Sequence, residues 1–388
     1  MSRSTRIILC FRTPVGGLFR HVCDLTRGLA RRGTEVGIVC DSLTGGQQAA
    51  ETLAELEHVC ALGVRRLEMP RAISPLDLPT ALAIRDWCGD LRPDIIHGHG
   101  AKGGVFARLA AWRLGARAYY TPHGGSLHYD PRSLEGMIYF RVERSLERLT
   151  DGIIFESEYG ERTYREKIGV PRCPARIIHN GLAAADFAPV RPASGAADFV
   201  YVGDLRRLKG VDVLIDALRL VAERRPVSAV IVGSGEDAEA FRQQAAQAGP
   251  GVSIRFAGAM PARRAFALGK VLVVPSRNES LPYIVLEAAG AGMPVIATRA
   301  GGIGEIFGDF ADALVPPGDP APLAAAMLAA LADPEPLAAQ TGALLARTRE
   351  RFNVERMVDD ILAFYGDGTH AARAVAAKAS SHRAAPVR

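Results

Sequence analysis

No run of 18 or more uninterrupted apolar residues occurs in this chain, so a membrane-spanning helix is not expected. The opening stretch, MSRSTRIILCFRTPVGG, holds too short an apolar run, with the wrong flank, for a secretory signal, and reads as a first strand. Cysteine is scattered: Cys10, Cys23, Cys40, Cys60, Cys88 and Cys173 form no C-x-x-C pair. That pattern fits buried free thiols in a reducing cytoplasm. The excess positive charge is only +5 and is spread along the chain, which excludes nucleic acid as a partner. Internal repeats are absent. The tail GDGTHAARAVAAKASSHRAAPVR is compositionally biased and is expected to be disordered over 367–388.

What is present is ordinary globular material: 388 residues, 48% hydrophobic and 23% charged. That length exceeds a single typical core and predicts two domains. Strand-like runs at Arg6–Phe11, Glu35–Cys40, Asp94–Gly98, Ala118–Thr121 and Gly152–Phe155 alternate with helical patterns such as Phe19–Arg32. A second series begins at Phe199–Gly203 and continues through Ala229–Gly233, Val252–Phe256, Val271–Pro275 and Pro294–Ala297. Alternation of this kind signals parallel sheets covered by helices, an α/β class with two doubly wound domains. The aperiodic stretch Ala188–Ala197 is the expected linker. Ligands of such sheets bind beyond the carboxyl ends of strands, so the cleft between the two domains is the expected site.

The loops then decide the chemistry. Gly16–Gly17, after the first strand, allows backbone amides to approach a phosphate, and a simple tight turn is the competing reading. Gly233–Ala238 spells G-x-G-x-x-A, but the next strand, VSIRFAG, carries no acid for a ribose, which argues against a dehydrogenase. VGDLRRLKG brings Arg206, Arg207 and Lys209 to a strand end, where fixed cations can hold a diphosphate and stabilise it as a leaving group. A solvated basic turn is the alternative. Histidines gather at His97 and His99 in IIHGHG and at His123 and His128 in TPHGGSLHY. No acidic or cysteine spacing accompanies them, so no metal is expected.

The richest stretch is PSRNESLPYIVLEAAGAGMPVIAT, residues 275–298. Glu279 should lie in a loop, and Glu287 one to two turns inside a helix begun by Pro282, ~7–8 Å further along its axis. A positive helix N-terminus between two acids suits a ligand with hydroxyls at both ends and phosphate in the middle, as a sugar nucleotide has.

Taken together, these loops resemble glycosyltransferase family 4, retaining enzymes of the GT-B fold, over about residues 6–365. The likeness rests on the Gly16–Gly17 loop, HGH, TPHG, IIHNG at Ile177–Gly181, VGxLxxxKG at Val202–Gly210, the VGSG turn, FAG at Phe256–Gly258, Glu279 with Glu287, and GGIGEI at Gly301–Ile306. It implies residues 1–190 as an acceptor-binding Rossmann-like domain and 191–350 as the nucleotide-sugar domain. A helix over 351–366 would cross back to the first. Glu279, His123, Arg206 and Lys209 take catalytic roles by this resemblance. Gly16, Gly17, Glu287, Arg207, Gly258, Met260, Ser280, Leu281 and Tyr283 would meet the donor. His99, Lys102 and His128 would lie on the acceptor side. Where the family often has Arg after the glycine of its VG-R-L motif, this chain has Asp204, so Arg206 is the substitute and Arg207 the second choice.

The resemblance further implies hexose transfer from a UDP-sugar or GDP-sugar, without cofactor or metal, to a saccharide or polyprenyl-linked acceptor in envelope or exopolysaccharide synthesis. Lys102–Arg117 is basic with Phe106 and Trp112 interleaved, so a peripheral contact with anionic lipid at the cytoplasmic face is an expectation, set against an ordinary domain helix. Rival readings are a sugar-nucleotide 2-epimerase of the same fold, a glycoside hydrolase using the two glutamates, and an inactive binding subunit marked by Asp204.

Overall fold

The computed structural model describes residues 3–72 and 74–367, without the side chains of Ser126 and His128. The expected disordered tail therefore lies outside the described residues, apart from its first position. The chain divides into two compact units. One holds Met1–Glu156, Glu161–Ile178 and the segment from Val354 onward; the other holds Ser157–Gly160 and His179–Asn353.

The first unit is built on a seven-stranded sheet of β1 (Arg6–Phe11), β2 (Glu35–Asp41), β3 (Val64–Leu67), β4 (Ile95–His99), β5 (Arg117–Thr121), β6 (Gly152–Phe155) and β7 (Ala175–Ile177). Its order is β3-β2-β1-β4-β5-β6-β7, and every pairing is parallel. Strand order reverses between β1 and β4, the switch point at which such sheets open a crevice. The continuous apolar spelling of β1 after Arg6 follows from burial on both faces, and β4 is buried throughout although it carries His97 and His99. The helix Gly100–Leu114 lies so close to this sheet that a Cβ on Gly103 would come 2.5 Å from the Cys10 carbonyl oxygen, and one on Gly104 2.4 Å from the Tyr120 ring. Gly98, Gly103 and Gly104 of HGHGAKGG are thus helix-to-sheet contacts. Five of the six cysteines are buried here, and burial pushes Cys23, Cys40, Cys60 and Cys88 up to about 12.

The second unit carries β8 (Ala197–Val202), β9 (Val227–Val232), β10 (Val252–Gly258), β11 (Gly269–Val274) and β12 (Val295–Ala297), in the order β10-β9-β8-β11-β12, all parallel. The reversal here falls between β8 and β11. Both sheets and their covering helices give the expected α/β class.

Two expectations shift. Ala188–Ala197 does not hang free: Val190 N–H donates to the Ala291 carbonyl and Ala193 N–H to that of Ala267, both in the second unit. The Pro- and Ala-rich composition gives no sign that these backbone groups are paired, and the chain changes unit between Ile178 and His179. Strands β3 and β7 were not expected. They are short, and the charged residues of VRRL and ARI mask their partial burial. The helix over 354–367 groups with the first unit, where Arg32 holds Asp359 at 2.6 Å. Among the described residues no helix is long and apolar enough to cross a membrane.

Candidate active site

Most of the expected site residues sit at the carboxyl ends of the strands that flank the two switch points. In the second unit the loop after β8 passes through a tight turn, Arg207–Lys209, and the loop after β11 runs from Pro275 to the helix Tyr283–Gly290. The two loops are clamped together. Gly210 has φ +71°, and a Cβ there would meet the Pro275 carbonyl oxygen at 2.0 Å, so only glycine lets the loops touch. Arg277 donates its N–H to the Leu208 carbonyl and grips Asp212 with both guanidinium nitrogens, at 2.7 and 2.8 Å.

Between the loops stands Glu279. Lys209 Nζ donates to both of its carboxylate oxygens, at 2.8 and 2.9 Å, and Ser276 Oγ donates to Oε1 at 2.7 Å. Glu279 is only 7% exposed, which makes this ion pair a sheltered one. The glycine pair of GGIGEI supports it from behind: a Cβ on Gly301 (φ +58°) would fall 1.7 Å from the Glu279 carbonyl oxygen, and Gly302 N–H donates to the Ser280 carbonyl at 2.8 Å. Pro282 caps the helix start as expected, and Glu287 lies half-buried in its second turn. Arg206 is half-buried with its guanidinium 3.6 Å from Asp204, and Arg207 is exposed. Gly258 ends the edge strand β10 in the left-handed region with open space where a Cβ would stand, and Met260 follows half-buried.

Leu281 and Tyr283, expected at the donor, have their side chains in the core with Leu286 and Ile303; the apolar face of the helix start claims them. The Leu281 carbonyl accepts from Asn180 Nδ2 at 3.2 Å, which gives the asparagine of IIHNG a positioning task in the same unit.

In the first unit, Gly16 and Gly17 open the helix Gly16–Arg31 and are exposed, with no side-chain cap and no acid in the first turn. Their amides present an uncapped positive end, suited to an anion. His123 is one of two non-glycine residues among those described with positive φ, at +53°. Such a conformation is held only by its surroundings. Here Nδ1 meets Glu156 Oε2 at 2.5 Å and Nε2 meets His99 Nδ1 at 3.1 Å. His21 joins them, its ring 4.9 Å from that of His123.

His99 is fully buried, which removes it from direct acceptor contact: as the last residue of a central strand it is interior, its ring 4.0 Å from His97. Burial first, and the neighbouring histidines second, hold both His97 and His99 well below the usual histidine range, so both are neutral. His97 is fully used, by Tyr365 Oη at 2.6 Å and Thr121 Oγ1 at 2.9 Å. Lys102 is likewise engaged, with Asp77 at 2.7 Å and with the carbonyls of Pro70 and Ala72. It tethers a loop rather than awaiting an acceptor. The rest of its helix is also largely interior: Phe106 and Arg108 are buried, and Trp112 points outward. His128 closes the turn Gly125–His128, and its side chain lies outside the described residues.

Sequence reasoning missed His21, Glu156 and Glu305. His21 lies on the apolar stripe of its helix, and Glu156 follows directly on an apolar strand; both positions were available signals. Glu305 accepts the backbone N–H groups of Glu158 and Tyr159, each at 2.8 Å, and meets His179 Nε2 at 3.3 Å. Burial would raise its proton affinity, but these bonds hold the carboxyl below its ordinary value. A pocket of about 260 Å³ lined by Glu158, His179, Glu305, Arg347 and Arg351 adjoins it, and includes none of the residues expected at the donor.

Chemically, the second unit offers a cation–carboxylate pair beside a helix start. The first offers a histidine aligned by a carboxylate, the arrangement of a positioned proton carrier or hydrogen-bond donor. His21, His99 and His123 also present ring nitrogens within 4.8 Å of one another, a spacing at which three histidines can seat a metal ion.

Residues 15–185 match the family described as Glycosyltransferase Family 4, and residues 196–333 the one described as Glycosyl transferases group 1. The chain is similar to EpsD of Bacillus subtilis, named as a glycosyltransferase, with 30% identity over 79% of this chain and 88% of that protein. It is 28% identical to a glycogen synthase of Mycobacterium tuberculosis, over 86% of each. Among solved structures, HepE of Anabaena, in complex with UDP and glucose, superposes with a TM-score of 0.77 at 19% identity, over 94% of this chain and all of that one. Sucrose-phosphate synthase of Thermosynechococcus elongatus gives 0.76 at 21%, over 95% of this chain and all of that one.

Proposed function

This chain belongs to glycosyltransferase family 4, with the GT-B fold, and from that premise we propose that it moves a hexose-type sugar from a nucleoside diphosphate sugar to a saccharide or lipid-linked saccharide, with retention. The observation that carries the reading is the Lys209–Glu279–Ser276 cluster at the β8/β11 switch point, backed by the Gly301–Gly302 pair.

In this reading Lys209 and Arg206 hold the diphosphate and stabilise its charge as the anomeric C–O bond breaks. Glu279 fixes the donor sugar through a hydroxyl, and Glu287 holds the ribose. The electron pair of the broken bond stays on the diphosphate. The acceptor oxygen bonds the anomeric carbon from the same face, and its proton passes to a diphosphate oxygen. His123, held by Glu156, orients the acceptor or donor hydroxyls. The exposed amides at Gly16 and Gly17 add a further anion contact. No metal enters this path. The setting is cell-envelope or exopolysaccharide synthesis at the cytoplasmic side.

Thermal-shift titration without metal tests the reading, with UDP first because the neighbour from Anabaena was solved with it, then GDP and the sugar conjugates of both. A ligand at ~100 times its dissociation constant stabilises by ~2.7 kcal/mol. A shift with one base and release of that diphosphate only in the presence of acceptor supports transfer. Conversion of the donor without acceptor would favour a 2-epimerase. No shift with any nucleotide overturns the site and leaves a binding-only subunit.

A further inference from the structure

Behind Glu279 the motif GGIGEI contributes more than its glycines. Its acid, Glu305, stands in the short helix Ile303–Phe307 with its main chain tied on both sides. The Glu305 N–H donates to the Gly302 carbonyl at 3.0 Å, and Arg347 Nη2 donates to the Glu305 carbonyl at 3.0 Å. Arg347 Nε takes the next carbonyl, of Ile306, at 3.1 Å. Glu305 is thereby fixed to the same Gly301–Gly302 pair that backs Glu279 and Ser280.

The side chain acts on a second support of the same loop. Its two oxygens take the N–H groups of Glu158 and Tyr159, the opening residues of the helix Glu158–Lys167. Such amides have no acceptor within their own helix. A carboxylate meets them with charge-assisted bonds at the positive helix end. His179 Nε2 lies 3.3 Å from the same carboxylate, and the Glu305 side chain is only 18% exposed. A helix cap needs nothing more. Here, however, the capped residue carries a side chain that reaches the site: Tyr159 Oη donates to Asn278 Oδ1 at 3.2 Å, and Asn278 directly precedes Glu279. Gly160 follows close by, where a Cβ would stand 3.8 Å from Ser280 Oγ. All of these residues belong to the second unit.

We propose that Glu305 and Tyr159 are positioning residues for the Glu279 carboxylate. Glu305 fixes the amides that aim Tyr159, and the Tyr159 hydroxyl holds Asn278. The residue before Glu279 is then anchored as well as the residue after it, where Gly302 N–H holds the Ser280 carbonyl. Both anchors start from one acid. The assignment rests on the reading above, in which Glu279 fixes the donor sugar through a hydroxyl. A small displacement of that carboxylate weakens its contact with the sugar and leaves the diphosphate and ribose contacts in place.

Tyr159→Phe is the first test, because it removes the hydroxyl and leaves the backbone bonds to Glu305 in place. Its urea midpoint, and its thermal shift with the bare nucleoside diphosphate, should equal those of the wild type. The additional shift given by the sugar conjugate should shrink, and turnover should fall about tenfold. Asn278→Ala should do the same, and the double variant should fall no further than either single one, since the two side chains act as a unit. Glu305→Gln should lose turnover by a similar factor and stability as well, and Glu305→Asp, one methylene too short, should restore neither. Amide hydrogen exchange over residues 276–282 of the chain without nucleotide should quicken in Tyr159→Phe, while β8 and β11 keep wild-type rates. Wild-type turnover by Tyr159→Phe, losses that multiply in the double variant, or unchanged exchange over the loop overturns the proposal. A lowered urea midpoint in Tyr159→Phe, with turnover per folded molecule unchanged, would make the tyrosine a packing residue and overturn it too. A wild-type chain with no nucleotide response and no turnover would count against the proposed function; the exchange measurement would still decide whether Tyr159 holds the loop, so the two failures are separable.

Discussion

Replacing Lys209 by Met keeps the length of the side chain and removes its charge, leaving Glu279 almost wholly buried with Ser276 as its hydrogen-bond donor. Unit charges at the observed 2.8 Å attract by ~6 kcal/mol at an effective dielectric of ~20. Lys209 retains 24% of its side-chain exposure, and desolvating the carboxylate offsets much of that attraction, so a coupling of ~1–3 kcal/mol is expected. Lys209→Met alone should lower stability by about that amount. Glu279→Gln should cost less, because water can solvate the released ammonium. The double variant should recover much of the loss. Turnover should behave differently: each single change is expected to lower it by ~10²–10³, and the double variant should recover none of that, because both groups act on the donor. Urea unfolding of the four proteins and release of nucleoside diphosphate in the presence of acceptor measure the two quantities. Stability effects that add within ~0.5 kcal/mol would refute the coupling. Full turnover by Lys209→Met would refute its place at the diphosphate.

The neutral histidines give the fold a pH dependence. Because His97 and His99 sit well below the usual value when folded, the unfolded chain binds more protons below pH ~6.5, and stability falls as pH falls, by up to ~1.4 kcal/mol per pH unit for each ring. A urea midpoint unchanged between about pH 7 and 5 would contradict this sign. Gly301→Ala forces a Cβ onto the Glu279 carbonyl at a positive φ and should displace the Glu279 loop. A loss of ~1–3 kcal/mol and of turnover is expected, and wild-type values of both would show that the loop is not held there. Turnover should survive an excess of chelator; a loss restored by added metal would assign the His21–His99–His123 cluster as a metal seat.

Much of this was legible because parallel sheets write themselves as apolar runs, and because loops at strand ends carry their chemistry in sequence. IILCF, IIHGH and VLVV name their strands, and VGDLRRLKG and RNESLP name the loops that meet at Lys209 and Glu279. What failed was anything fixed by three-dimensional partners. Lys102 and His99 have residue types suited to a ligand, yet one is tied to Asp77 and the other sealed inside the sheet. His21 and Glu156 stand far apart in the chain and both reach His123 because β1, β4, β5 and β6 are neighbours. For the basic helix carrying Phe106, the sequence left a lipid-facing surface and an ordinary domain helix both open. Its inward side is set by Gly103 and Gly104, whose missing side chains a composition cannot interpret.

The clasp between Lys209 and Glu279 has a consequence for how a ligand would arrive. The site is neutralised from within: the lysine occupies the carboxylate, and the carboxylate occupies the lysine. On the proposed reading, a donor does not fill a vacant electrostatic trap but performs a double exchange, its diphosphate taking the lysine and its sugar hydroxyl taking the glutamate. A free phosphate could satisfy one partner only and would strand the other. Discrimination would then reside in what must be separated before anything binds, and the resting enzyme would be shielded from the many smaller anions around it.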